Sequence, residues 1–353
     1  MKNFVFISPN FPTNYWQFCR HLKDNGLNVL GIGDQPYDDL SQELKDSLNE
    51  YYKVNNLENE DEVYRAVAFF IFKHGRIDWL ESNNEYWLER DAKLRTQNFL
   101  TDDYLIENLV DLSGVGENDC ILEVGPGMGI MTKALCKRCK KVISVEIDDA
   151  LIPILRVEMS KYPNFTLVHG DVMKLNLPQI TQDLGAFHVV ANIPYYLTAD
   201  LMNMLMASDM PILSINVMVQ KEAAERLTAK PGGKEYSVLS LKAQYFGHPQ
   251  IVLDVPRILF TPPPQVDSAF VTMPLRSASE RAFTGDKEAL LLKIITAGFA
   301  MRRKTLLNNL MNTFRMERSQ VEQWLTDSGI ETTRRGETLT LKEYQVLTEN
   351  YPH

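Results

Sequence analysis

The sequence predicts an α/β fold that ends in an all-helical tail, and three features carry that expectation. Short apolar runs of strand type alternate twice with segments of helical spacing. A glycine loop, EVGPGMG (123–129), lies between one such run and a helix, and acids end the next two runs. From Asp286 onward only the helical interval remains.

FVFIS (4–8) reads as a buried strand. The stretch 14–24 has helical spacing through Trp16, Cys19 and Leu22, and stops at Asn25-Gly26, a common helix terminator. LNVLGIG (27–33) is a second strand, 61–75 a long helix and RIDWLES (76–82) a third strand, with Trp79, Tyr86 and Trp87 expected in the local core. The charged stretch 88–96 reads as a linker. A second alternation starts near Gln97, with a helix at about 102–113 and CILEV (120–124) as its first strand. After the glycine loop and its helix come KVISVE (141–146), a helix through Met159, FTLVHGD (165–171) and FHVVANIPY (187–195). ILSINVMV (212–219) and AFVTMPL (269–275) are further strands. Such alternation implies a parallel sheet covered on both faces. In the tail Leu290, Leu291, Ile294 and Ile295 share a helix face, and shorter helices at about 318–328 and 340–350 follow.

The chain has 353 residues, 44% hydrophobic and 24% charged, with 18 Gly and 17 Pro, which excludes disorder, collagen and coiled coil as whole-chain readings. Its longest apolar run, AVAFFIF (66–72), is too short to span a bilayer. Pro9 and Asn10 interrupt the start where a signal peptide would stay apolar. Four cysteines make no disulfide framework, so a cytoplasmic protein without membrane contact is expected. Cys136 and Cys139 form a CxxC with no second pair, so they read as reduced helix cysteines and no metal is expected. His169 reads as packing, and Met202, Met204 and Met206 as helix core. The net charge of −9 divides into −5 over 1–95, −6 over 96–275 and +2 over 276–353. Contact with a polyanion is therefore expected to be local to the last third, where Arg302, Arg303 and Lys304 are consecutive.

The alternating glycines at 125, 127 and 129 let the backbone turn sharply and let a ligand lie against main-chain atoms. Glu146 ends the next strand, 21 residues after Gly125, the spacing at which a carboxylate grips ribose hydroxyls in nucleotide folds. Nicotinamide and S-adenosylmethionine sites share this much. Asp171 closes the third strand and can accept a hydrogen bond from an adenine amine, with Val172 beside the ring. Asn192-Ile193-Pro194-Tyr195 then ends the fourth strand, where ligands of open α/β sheets bind. The tetrad suits methyl transfer to an exocyclic adenine amine, whose lone pair is delocalised into the ring. Asn192 Oδ1 and the Pro194 carbonyl can both accept from N6, aiming its lone pair at an electrophilic methyl; Tyr195 offers a ring on which an unstacked base can lie. Positioning supplies most of the rate, so no strong base is needed.

With these motifs, QNFL (97–100), EVGPGMG, VEID (145–148), GD (170–171), NIPY (192–195), QKEAAERL (220–227), FTPPPQVDSAF (260–270), FAMRRKTLLNNL (299–310) and GIETTRRGETLTLKEY (329–344), the chain from about 97 to 351 resembles a known family. These are the ribosomal RNA adenine dimethyltransferases that modify two adjacent adenosines near the 3′ end of small-subunit rRNA. The resemblance implies a Rossmann-like class I methyltransferase domain over 96–275, a helical RNA-binding domain over 276–353, S-adenosyl-L-methionine as cofactor, and small-subunit rRNA within a pre-ribosomal particle as partner. It implies that Asn98 and Leu100 border the methionine end of the cofactor and that Gly125 lies against it. Glu146 then holds the ribose, Asp171 the adenine, and Asn192 joins methyl donor and acceptor. The proline-rich loop frames the target base, with Phe270 a stacking candidate, and Arg302, Arg303 and Lys304 contact phosphate. Relatives that methylate large-subunit rRNA for macrolide resistance share the NIPY chemistry, and an assembly factor with an idle site is the non-enzymatic alternative. Thr96 stands where the family usually has glycine. The segment 1–95 resembles a pre-ATP-grasp domain, a small α/β module, without the catalytic domains that normally follow one.

Overall fold

Four successive residues of FVFI are buried because the strand they form is covered on both faces. Strands β1 (Asn3–Ile7), β2 (Asn28–Gly33), β3 (Glu50–Lys53) and β4 (Ile77–Ser82) make a parallel sheet in the order β3-β2-β1-β4. Helices α1 (Trp16–Asp24), α2 (Gln42–Ser47) and α3 (Glu60–His74) connect them. Phe4 and Phe6 pack in one cluster with Cys19 of α1 and Leu44 of α2, while Val5 and Ile7 pack in another with Val63, Ala66 and Phe70 of α3. The expected strands and long helices are present; α2 and the four-residue β3 had no signal of their own in the sequence. Trp79 is not core: it is 46% exposed, with the Lys2 ammonium 5.1 Å from its ring centre. A side chain on the edge strand of this sheet has only one neighbouring strand to cover it.

This is a computed structural model that describes residues 2–82, 99–100, 103–193, 195–261 and 264–352. Tyr86, Trp87 and Asn98 therefore lie outside the described residues, as does Pro194. The chain forms two units, residues 1–181 with 255–267, and residues 182–254 with 268–353.

Beyond the N-terminal sheet the first unit contains β5 (Phe99–Leu100), α4 (Asp103–Leu112), β6 (Cys120–Val124), α5 (Ile130–Arg138), β7 (Lys141–Glu146), α6 (Leu151–Met159), β8 (Phe165–His169) and α7 (Leu177–Thr181). The strands β6, β7 and β8 run parallel with unbroken register, from Cys120 opposite Lys141 to Glu146 opposite His169. Their carboxyl ends consequently lie side by side.

The second unit holds β9 (Phe187–Asn192), α8 (Thr198–Met206), β10 (Ile212–Gln220), α9 (Lys221–Thr228), α10 (Val238–Phe246) and β11 (Gln250–Val255). Residues 255–267 carry β12 (Phe260–Thr261), paired antiparallel with β5. The second unit resumes with β13 (Ser268–Pro274), α11 (Gly285–Gly298), α12 (Leu306–Phe314), α13 (Arg318–Asp327) and α14 (Leu341–Glu349). β9 and β10 are parallel, as expected, but β13 returns antiparallel along β10, Ser214 opposite Pro274 and Gln220 opposite Ser268. An apolar strand buried on both faces looks the same in either direction, so its sequence does not reveal its sense. β11 lies beside β13 and is largely exposed, which is why its pattern gave no signal. No helix among the described residues is long and apolar enough to cross a membrane.

Specific polar ties join the helical tail. The Trp324 indole donates to the Leu347 carbonyl at 2.8 Å, and the ring packs edge-on against Phe314 and Tyr351. Tyr344 donates its hydroxyl to the Gly336 carbonyl at 3.0 Å, and Tyr236 donates to the Leu339 carbonyl at 2.9 Å. Gly336 sits so close to Gly298 that a methyl group there would overlap the Gly298 carbonyl oxygen, a backbone atom that cannot swing away. Gly336→Ala is therefore expected to destabilise the protein by about 1–3 kcal/mol, read as a lower urea midpoint. An unchanged midpoint would show that the junction has slack.

Candidate functional site

Three neighbouring strand ends build the site in the first unit. β6 runs into Gly125-Pro126-Gly127-Met128-Gly129, and the three glycines take φ of +70°, +56° and +76°, the left-handed region that favours glycine. The Gly125 N–H donates to the Val145 carbonyl at 3.0 Å, fastening the turn to β7, and Gly129 leads directly into α5. Glu146 ends β7 with only 5% of its surface exposed. Its Oε1 accepts from the N–H groups of Ile147 and Asp148, both at 2.9 Å, and its Oε2 accepts from Gly127 at 3.3 Å. Burial lifts this carboxyl above its ordinary range, and the three N–H donors oppose that rise. β8 leads to Asp171, whose Oδ1 accepts from the Met173 N–H at 2.9 Å while Lys174 lies 3.3 Å from Oδ2. These contacts hold Asp171 below the usual carboxylate range, the Met173 N–H foremost. The Gly170 N–H donates to the Glu146 carbonyl, locking the second and third strand ends together.

The structure thus gathers Gly125, Glu146 and Asp171 at adjacent strand ends. Both acids keep lone pairs beyond those used by the backbone, which suits a ribose diol and an adenine amine, and the glycines at 125 and 127 carry no side chain of their own. The donor set fits an adenosyl cofactor. Leu100 lies on β5, opposite Phe260. His169, expected in packing, is instead half exposed, with Nε2 2.9 Å from Asp149 Oδ1. Cys136 and Cys139 are buried free thiols pushed up to about 12 and about 11 by burial, and no group able to hold a metal ion occurs among the described residues.

In the second unit Asn192 ends β9, half-buried and opposite Met218, and the Ile193 N–H donates to the Met218 carbonyl at 3.1 Å. Tyr195 opens the short turn of helix that leads into α8. Its neighbour Tyr196, which the sequence reading passed over, is 81% exposed and presents a free aromatic face; an aromatic beside the tetrad was the available signal. Phe270 is not a stacking residue, because it is fully buried on β13 opposite Met218. Arg302, Arg303 and Lys304 are all exposed, yet they are not equivalent. Arg302 Nη2 donates to the carbonyls of Lys234 and Tyr236 at 3.0 and 3.2 Å, and its Nε is 3.3 Å from Glu337 Oε2.

Residues 91–347 match the family model described as ribosomal RNA adenine dimethylase. The chain belongs to the ribosomal RNA adenine dimethylase family. Among similar family proteins, ribosomal RNA small subunit methyltransferase A of Bacillus licheniformis is 41% identical over 260 residues, 72% of this chain and 88% of that protein. The Staphylococcus aureus protein of the same name is also 41% identical, over 72% of this chain and 87% of its own length. Among solved structures, the 23S rRNA methyltransferase ErmE is 26% identical with a TM-score of 0.59, covering 72% of this chain and 99% of its own. A dimethyladenosine transferase from Plasmodium falciparum is 26% identical with a TM-score of 0.58, covering 70% and 95%. The dimethylase fold is Rossmann-like α/β, and residues 1–90 lie outside the family match.

One buried acid under the dimethylase glycine turn went unnoticed in the sequence. Glu123, fully buried on β6, accepts at Oε2 from Ser144 Oγ at 2.5 Å and Thr132 Oγ1 at 2.8 Å, leaving Oε1 buried without a partner. Burial pushes its carboxyl up to about 7, and nearby Glu146 adds to the rise. The folded chain therefore holds a proton that the unfolded chain releases, so stability falls as pH rises from about 4.5 to about 7. Glu123→Gln removes that dependence. Unfolding free energies from urea titrations across pH 5–8 are expected to improve for the variant relative to the parent as pH rises, by on the order of 3 kcal/mol at most. Parallel curves would contradict an ionisation penalty at this position.

Proposed function

We propose that this chain is an S-adenosyl-L-methionine-dependent rRNA adenine-N6,N6-dimethyltransferase acting on two adjacent adenosines near the 3′ end of small-subunit rRNA, within a pre-ribosomal particle in the cytoplasm. The observation that carries the reading is Glu146, held at the end of β7 by three backbone N–H groups, one of them from the glycine turn. The cofactor, when bound, supplies an electrophilic methyl group. Gly125 brings bare backbone to it, Glu146 holds the ribose hydroxyls, Asp171 accepts from the adenine amine, and Asn98 and Leu100 border the methionine end. Asn192 Oδ1 and the Pro194 carbonyl accept hydrogen bonds from the target N6 and aim its lone pair, while Tyr195, with exposed Tyr196 beside it, stacks the extruded base. The chain is organised functionally as a small α/β segment over 1–95, the methyltransferase segment over 96–275 and an RNA-binding helical segment over 276–353.

Methyl transfer from labelled cofactor to immature small subunits is the direct test, with two adjacent dimethylated adenosines as the expected product. Label confined to large-subunit RNA would select the macrolide-resistance type of activity, and binding without label an assembly factor. Asn192→Ala is expected to lower kcat by about 100- to 1,000-fold, the scale of losing one aimed polar group. Cofactor affinity should stay within about threefold. Equal loss of both would refute an orienting role.

We assign phosphate contact in the basic run chiefly to Arg303 and Lys304, because the Arg302 guanidinium is engaged by Lys234, Tyr236 and Glu337. Phosphate contacts position RNA rather than read it. Arg303→Gln and Lys304→Gln should each flatten the slope of log affinity against log salt by about 0.7–0.9. Arg302→Gln should instead lower the melting temperature, and a flattened slope with unchanged melting would reverse the assignment.

A further inference from the structure

The N-terminal sheet repeats the opening of the cradle that precedes α5. In both places the residue after the first strand has a left-handed backbone, Ser8 at φ +60° and Gly125 at φ +70°. In both its N–H donates to a carbonyl on the second strand, Ser8 to Ile32 at 2.7 Å and Gly125 to Val145 at 3.0 Å. In both a proline follows, Pro9 and Pro126, and an acid ends the second strand, Asp34 one residue later than its counterpart Glu146. Serine pays a steric cost for such a backbone that glycine does not, so the turn is held by its surroundings. The strand order β3-β2-β1-β4 also reverses at β1, and ligands of open parallel sheets bind beyond the carboxyl ends at such a reversal.

Two polar groups at this place are unused. Asn10 donates its side-chain amide to Gln35 Oε1 at 3.1 Å, but its Oδ1 is buried with no partner. Asp34 is exposed and, among the described residues, makes no hydrogen bond or ion pair. Phe11 and Tyr37, both exposed, stand in the two flanking loops. Neither 8–12 nor 33–39 contains Lys or Arg, and Lys45, the cation that reaches the second loop, is engaged by the Asp38 carbonyl at 2.9 Å and the Tyr37 ring at 5.4 Å, so the place favours a ligand without phosphate. We propose that residues Ser8–Asn10 with Asp34 form a second binding site, for a nucleoside without phosphate: Asp34 accepts from the ribose hydroxyls, and Asn10 Oδ1 accepts from an amine or ring N–H of the base.

Equilibrium dialysis of the full chain against labelled adenosine tests this site apart from the methyltransferase cradle. Glu146→Gln weakens the latter, and that protein is expected to retain one adenosine per chain. Adding Asp34→Asn should weaken the retained binding at least about tenfold, the scale of one charge-assisted hydrogen bond, with no change in melting temperature because Asp34 is exposed and unpaired. Asn10→Ala on the same background should weaken it similarly. The proposal is overturned if the Glu146→Gln protein binds no adenosine at millimolar concentration, or if neither second substitution alters its dissociation constant.

Discussion

Glu146 sits almost out of water at the end of β7, and three backbone N–H groups converge on its carboxylate. Burial raises the carboxyl of an acid so placed and those donors oppose the rise, and each donor makes its own demand on the chain. The Gly127 N–H can point at the carboxylate because the turn alternates left-handed residues. Ile147 and Asp148 can both donate because the chain bends sharply as it leaves the strand. The turn is tied to β7 through Gly125, and β8 is tied to the same strand end through Gly170, so the second acid inherits its location from the first. Beneath them Glu123 joins β6, β7 and α5 through two hydroxyl donors, giving the turn a polar floor in an otherwise apolar layer.

Much of this was readable beforehand, for physical reasons that differ by element. CILEV and KVISVE are short, mostly apolar runs bounded by turn residues, so their limits fell where expected. The glycine spacing announced a backbone that must pass through left-handed space. Features set by tertiary context were silent. β13 carries the same apolar signature in either direction, and β11 and β3 are mostly unburied edges. Phe270 and Trp79 exchanged their expected places, the first buried and the second exposed, because composition says how apolar a residue is but not which neighbours cover it. Glu123 carried no signal in the sequence, because what sets it apart is its complete burial.

In the second unit, consecutive basic residues divide their labour. A run of three cations reads as one patch in sequence, yet the Arg302 guanidinium is engaged at the surface by two carbonyls and a carboxylate. Its planar fork of donors suits that task better than a lysine ammonium would. The same corner is tightened by Asn309, whose amide donates to the carbonyls of Gly298 and Met301, satisfying groups that the end of α11 leaves open. The loop 302–304 is therefore a fixed platform, and its remaining charges project from a defined place.

The antiparallel return of β13 matters for how the polypeptide is made. Gln220 pairs with Ser268, and Ser214 with Pro274, so a long intervening stretch must leave the ribosome before β10 meets this neighbour. At about 5–20 residues per second that interval lasts several seconds, during which one flank of a strand that is largely buried in the folded protein has no antiparallel neighbour. For a protein of this family, the nascent chain thus needs a strand edge sheltered while the rest of the polypeptide is still being made.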